Sequence, residues 1–308
     1  MRLVFYRYVF AVCFVMISCQ NGANTNKGKL LILCTTSMIA DGVRNICGDN
    51  AQIQALMGAG VDPHLYKPAI RDLDKITAAD IIVYNGLHLE GKMVELLKKI
   101  ARTKPVFALS DGLTEKDIIQ TQDAGSAHDP HIWFDLMVWK KGLGYIARKL
   151  GEIDTLHHKD YEKNFANYAS KLDSTFLSLN EKWSRVSIEK RVLITSHDAF
   201  SYYGRSFGVE VKALQGISTM AEFGLRDVTE LVDFICLRKV PAVFIESSVS
   251  DKSLKAVVEG CESRGCKVKI GAGLYSDAMG SEGTPEATYI GMISYNTDVI
   301  IKGLLEQK

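Results

Sequence analysis

The chain has 308 residues, 47% hydrophobic and 24% charged, a balance that buries a sizeable core and suits one large or two ordinary domains. With 37 basic against 36 acidic residues it lacks the positive surplus that draws proteins to nucleic acid, so that class of partner is set aside. Seven cysteines without a pair of C-x-x-C knuckles argue against a structural zinc ribbon.

The first residues are unlike the rest. Arg2 and Arg7 accompany the apolar run 8–17, which is too short to cross a bilayer as a mature helix and gives residues 1–18 the layout of a secretory signal. Ser18-Cys19 resembles a bacterial lipoprotein cleavage site, with Cys19 acylated and 19–28 a lipid-anchored polar tether; cleavage without lipid is the other reading. Both put the protein outside the cytoplasm, and loss of Arg2 and Arg7 leaves 35 basic against 36 acidic residues. Of the five cysteines beyond this leader, Cys261 and Cys266 could close a small loop, but an odd number leaves a thiol over, and mostly buried thiols are expected.

Short apolar runs then alternate with helical patterns. Strands are predicted at 29–34, 51–57, 80–84 and 104–109, and helices at 37–47, 70–79 and 90–101, with Ser37 capping the first. Strands separated by helices pair in parallel through right-handed crossovers. A polar loop, 110–135, leads to a helix over 136–150 capped by Asp135. Next, Tyr161, Phe165, Tyr168, Leu172, Phe176, Leu179, Trp183 and Val186 recur at spacings of three and four, which predicts one helix over 160–188. At 1.5 Å per residue it is roughly 40 Å long. A coiled-coil arm is disfavoured because no second heptad run exists to pair with it. The alternation resumes with strands at 191–195, 209–214, 242–246 and 268–271, helices at 199–207, 225–238 and 252–264, and a terminal helix over 285–306 opening on Pro285.

The expected fold class is therefore α/β with two lobes, 29–155 and 189–308, each a parallel four-stranded sheet flanked by helices, joined by one long rigid helix over 156–188. Open parallel sheets bind ligands beyond the carboxyl ends of their strands, here in the crevice between the lobes.

Asp-Pro-His occurs twice, as Asp62-Pro63-His64 and Asp129-Pro130-His131, using two of six prolines and two of seven histidines. Proline fixes its own φ and pushes its predecessor into an extended conformation, so each copy presents an imidazole from a stiff loop. A pre-positioned imidazole is a good metal donor because less entropy is lost on binding; ordinary turns with backbone-bonded histidines are the bland alternative. His64 follows the second predicted strand and His131 the fourth, His197 comes two residues after the fifth, and Asp277 lies beyond the eighth. Three imidazoles and a carboxylate suit tetrahedral zinc, and a carboxylate binding through both oxygens raises the coordination number for manganese. Spacing alone does not prefer Asp277 over Asp251 or Glu246.

The ordered stretches TTSMIADGVRNI (35–46), LMGAGVDPHLY (56–66), YNGLHLEGKM (84–93), DPHIWFD (129–135), LITSHDAFSYYG (193–204), LQGIST (214–219), FIESS (244–248) and LYSDAMG (274–280) carry a resemblance. From about residue 30 to 304 the chain resembles the substrate-binding receptors of zinc and manganese ABC importers, the cluster A-I group, and above all its TroA-like members. The resemblance implies that His64, His131, His197 and Asp277 bind the metal, two from each lobe. It implies zinc or manganese as transported ligand, permease subunits as partners, and a monomeric receptor that is not an enzyme. Glu246 ends a strand facing the crevice and is expected to orient a ligand from behind. Histidine at 197, where manganese-selective relatives tend to have glutamate, favours zinc. The loop 110–135 holds only His128 ahead of His131, so the histidine-rich loop of zinc-dedicated relatives is missing; the expectation is zinc, then manganese, then iron. A secreted zinc hydrolase and a surface adhesin are the alternatives, the former without a His-Glu-x-x-His helix or an open coordination position. His88, His128, His157 and His158 are read as structural or solvated, and Trp133 and Phe134 as packed wall that limits water access. A single rigid helix implies a small tilt rather than wide closure on metal binding.

Overall fold

The structure, a computed structural model, describes residues 28–121 and 128–306. The signal segment, Cys19 and residues 20–27 of the tether lie outside the described residues. Among those described, no helix is long and apolar enough to cross a membrane.

The first lobe runs β1 (Leu30–Cys34), α1 (Ser37–Cys47), β2 (Ala51–Ala55), α2 (Ile70–Ala78), β3 (Ile81–Tyr84), α3 (Val94–Ile100) and β4 (Val106–Ala108). Its four strands pair in parallel in the order β2-β1-β3-β4, with Ile32 beside Ile53 and Ile81. Period-two alternation sends Ile32, Cys34, Ile81 and Val83 into the main core, while Leu33 and Ile82 meet Leu56, Ile76, Met93 and Leu97 on the other face. Both faces are covered, which is why these strands read as unbroken apolar runs. α1 is capped by Thr36, whose side chain accepts from Ile39 N–H, not by Ser37 as expected; the Ser37 hydroxyl instead accepts from Met279 N–H across the lobes.

The chain continues through α4 (Leu136–Ile153), α5 (His158–Ser184), β5 (Val192–His197), α6 (Ser201–Phe207), β6 (Glu210–Gln215), α7 (Leu225–Arg238), β7 (Ala242–Val243), α8 (Lys252–Ser263), β8 (Lys269–Ile270) and α9 (Tyr289–Leu305). Asp135 caps α4 as expected, accepting from Met137 and Val138 N–H. The second lobe departs from the continuous four-stranded sheet: β5 pairs with β6 and β7 with β8, and one parallel bridge, Thr195 with Phe244, joins the two ladders. Val243 lies opposite Ile270 and Glu246 opposite Leu274, so three steps on one strand face four on the other. The extra residue, on the 270–274 side, interrupts pairing as a bulge does.

α5 ends at Ser184, short of the expected 188, because Arg191 donates to the carbonyls of Trp183 and Val186 and closes the helix end. Val186 continues the apolar spacing beyond it and is buried all the same. Likewise Pro285 opens a separate 3-10 turn, and α9 starts four residues later on the Thr288 cap. α5 packs on α1, α4 and α9, and one main core runs from Ile32 through Trp133, Phe200 and Tyr289 to Leu304. The lobes therefore share apolar packing as well as a helix.

Cys266 pairs with Cys236, not with Cys261, tying the end of α7 to the turn after α8. Cys261 faces inward with Leu254 and Val257. It stays a buried thiol with Cys34 and Cys47, and burial pushes Cys47 up to about 12, so it is unreactive. The bridge spans a sequence separation of 30. Cys236→Ser with Cys266→Ser is expected to lower stability by about 3–4 kcal/mol, read as a drop in the urea midpoint; an unmoved midpoint would contradict a closed bridge.

Candidate metal centre

Four side chains from four separate places converge. His64 sits in the loop after β2, His131 at the end of the polar loop before the 3-10 turn Ile132–Phe134, and Asp277 in the loop between β8 and α9. His197 is the last residue of β5, not two residues past it, because the strand continues through Ser196. All four are buried, and one donor atom from each lies within 4.8 Å of the others. His64 Nε2 is 3.2 Å from His131 Nε2, His131 Nε2 is 3.6 Å from Asp277 Oδ1, and His197 Nε2 is 3.3 Å from Asp277 Oδ2. An ion about 2.0–2.1 Å from each of four tetrahedral donors separates those donors by roughly 3.3 Å. His197 Nε2 and Asp277 Oδ1 are buried without a hydrogen-bond partner, as donors aimed at a shared centre are.

Carboxylates hold the imidazoles from behind. Asp129 Oδ1 lies 2.7 Å from His131 Nδ1 and accepts the His131 backbone N–H, and Glu246 Oε2 lies 2.6 Å from His197 Nδ1. Glu246 Oε1 also accepts the N–H groups of Ser196 and His197, fixing the end of β5. Each carboxylate stands on the Nδ1 side of its imidazole and leaves the Nε2 side facing the cluster. Asp62 repeats the backbone half of this motif, accepting His64 N–H, and its second oxygen accepts from Thr219 of the opposite lobe.

The His131 loop is bound from the second lobe as well. Tyr202 hydroxyl donates to the Asp129 carbonyl, Tyr289 hydroxyl to the Trp133 carbonyl, and Trp133 Nε1 to the Ser276 carbonyl beside Asp277. Trp133 thus has a polar role that its aromatic character did not announce.

The charges are unequal. Burial disfavours the His64 imidazolium and holds its pKa down at about 3, with His131 and His197 acting in the same direction. Burial also opposes protonation of His197, but Glu246 and Asp277 beside it prevail and hold it well above the usual imidazole range. Burial would raise the Asp277 carboxyl, yet His197, His64 and His131 keep it below the usual carboxylate range.

The remaining histidines lie elsewhere. His157 pairs with Asp154 and His158 with Glu162, while His128 bridges Gln120. His88 is exposed, in the turn after β3, and lines a cavity that reaches His64. Asp62, Asp129 and Thr219 were missed by sequence reasoning. A signal existed for the two aspartates: each stands two residues before its histidine, the spacing at which an aspartate accepts a backbone N–H.

A two-lobed α/β chain with a buried three-histidine, one-aspartate cluster between its lobes defines a class, the cluster A-I metal-binding receptors of bacterial importers. Residues 32–303 match the family described as zinc-uptake complex component A, periplasmic, and the chain belongs to it. It is 42% identical over 304 residues to the manganese-binding lipoprotein MntA of Bacillus subtilis, covering 96% of this chain and 97% of that one. It is 40% identical over 277 residues to the zinc-binding protein TroA of Treponema pallidum, covering 90% and 89%. The solved structure of periplasmic zinc-binding TroA from Treponema pallidum superposes with a TM-score of 0.87 at 40% identity, covering 91% of this chain and all of that one.

Proposed function

We propose that this chain is an extracytoplasmic substrate-binding protein that captures a divalent transition metal, zinc first, and hands it to the permease of an ABC importer. In this reading His64, His131, His197 and Asp277 are the metal ligands, with Glu246 and Asp129 orienting two of them. Residues 1–18 are the signal, Cys19 the lipidated anchor that keeps a monomeric receptor at the membrane, 19–28 the tether, and 29–155 and 189–308 the lobes joined through 156–188.

One observation carries the proposal: three imidazoles and a carboxylate, buried and contributed by distant segments, lie within 4.8 Å of one another, and three of their contacts, at 3.2–3.6 Å, are close to the edge of a zinc tetrahedron. Imidazole-rich sites favour zinc over harder ions. A second reading, manganese, has its own observation. Asp277 turns Oδ1 toward His131 and Oδ2 toward His197, so the carboxylate can bind through both oxygens and accommodate an ion of higher coordination number. Relatives named for each metal fit either reading. A hydrolase needs an open position and a free general base, whereas in this reading the four donors take up the tetrahedral positions and Asp129 and Glu246 lie against imidazoles.

Metal titration tests the proposal. The metal-stripped chain is expected to take up one equivalent of zinc, to release bound manganese when zinc is added, and to show no peptidase or esterase turnover. Absence of stoichiometric uptake of either ion would end it, and retention of manganese against zinc would reverse the order of metals.

A further inference from the structure

We propose that His88 is an outer subsite, the first protein donor that an incoming divalent cation meets before it passes to His64; this rests on the receptor reading above. His88, His64 and Pro130 line a cavity of about 160 Å³ together with Ile217, Ser218 and Met220 of the opposite lobe. That is room for several waters, the scale of an ion that has kept part of its hydration shell. His64 is buried at the metal cluster, whereas His88 is exposed, so one cavity carries an imidazole at each depth.

The backbone is bent to place it there. Gly86, Leu87 and His88 have φ of 86°, 51° and 63°, three consecutive left-handed residues of which two carry a Cβ. The one other non-glycine with positive φ among the described residues, Lys239, ends α7, where that conformation is ordinary. No helix ends at Leu87 and His88. Strain of this kind persists only where the surroundings over-determine it. Here the buried Glu90 carboxylate does so: Oε1 accepts from Asn85 N–H and Thr35 hydroxyl, and Oε2 accepts from Gly86 N–H. Leu89 is then fully buried and His88 exposed, and both line the cavity. His88 has no hydrogen-bond or ion-pair partner among the described residues, unlike His157 and His158. An imidazole nitrogen there replaces one water of the ion. On transfer, His64 Nε2 takes over as nitrogen donor and His88 is released.

A way-station absent from both end states lowers the barrier in each direction and leaves the equilibrium alone. The test is stopped-flow binding of zinc sulfate and manganese chloride to the detergent-solubilised full chain, comparing wild type with His88→Asn and His88→Gly, residues that tolerate a left-handed backbone. Association and dissociation rates are both expected to fall about tenfold with Kd unchanged. Rates equal to wild type overturn the subsite, and so does a weaker Kd at an unaltered association rate, which a structural role would give. Wild type that takes up neither ion removes the receptor reading itself, whereas uptake at rates the variants match removes only the outer subsite.

Discussion

His131→Ala is expected to weaken zinc binding by about 10²–10³-fold. Four-ligand protein zinc sites bind with roughly 10–16 kcal/mol, so one ligand's even share is about 2.5–4 kcal/mol, and each 1.4 kcal/mol is tenfold in affinity. His131 is the most demanding of the four to lose, because it is fully buried and tied on both sides. Its Nδ1 lies 2.7 Å from Asp129, its ring centroid is 5.2 Å from that of Trp133, and its loop is bound by Tyr202 and Tyr289. A neighbouring side chain cannot swing in to replace it. Asp129→Asn is the graded control: the amide oxygen still accepts from Nδ1 but carries no charge, and the loss is expected at about 10–100-fold. Competition with a chelator of known affinity measures both, with far-ultraviolet circular dichroism confirming the fold. If His131→Ala bound zinc within threefold of wild type, the four-donor site would be wrong.

Zinc binding is expected to release about one proton near neutrality and to strengthen about tenfold per pH unit, as long as the pH stays below the His197 pKa. The proton comes from His197. Burial works against its charge, but Glu246 at 2.6 Å from Nδ1 and Asp277 at 3.3 Å from Nε2 keep the imidazole protonated in the metal-free cleft. A cation takes the Nε2 lone pair only after that proton leaves. His64 is already neutral above about pH 3, and Asp277 is already ionised, so neither adds a second proton. The stability of the metal-free fold has two opposed parts. The raised His197 pKa contributes stability that is full below the unfolded value near 6.5 and disappears as pH rises through the folded value. The lowered His64 pKa contributes stability present above 6.5 and lost as pH falls toward about 3. Calorimetric titration in buffers of different ionisation heat counts the released protons. A count of zero, with affinity flat from pH 6 to 8, would contradict a charged His197.

Local chemistry made much of this legible. The Asp135 cap, the bounds of α7 and the parallel alternation of the first lobe follow from side chains acting within a few residues of themselves. Errors came where a distant group decided. α5 stops at Ser184, short of the expected 188, because Arg191 closes that end from across a turn. Thr36 displaced Ser37 as cap because the Ser37 hydroxyl serves Met279, 242 residues away. The pairing of Cys266 with Cys236 depended on which way α8 rolls, which buries Cys261. At the site, the twin Asp-Pro-His tripeptides advertised two stiff imidazoles, while the choice of Asp277 over Glu246 came from resemblance. The coordinates give those two carboxylates separate positions: Asp277 faces the Nε2 side of His197 and Glu246 its Nδ1 side.

What the sequence determined by itself was the alternation of strands and helices, the long helix and the stiff presentation of His64 and His131, since each depends on periodicity or on proline acting over a handful of bonds. What only the tertiary structure decided was which atoms face one another: the 3.2–3.6 Å separations, the carboxylate behind each of two imidazoles, and the Trp133 link to Ser276. Those distances join residues up to 146 positions apart, from His131 to Asp277. No local pattern encodes such a separation, because it is set by the packing of both lobes on one shared core.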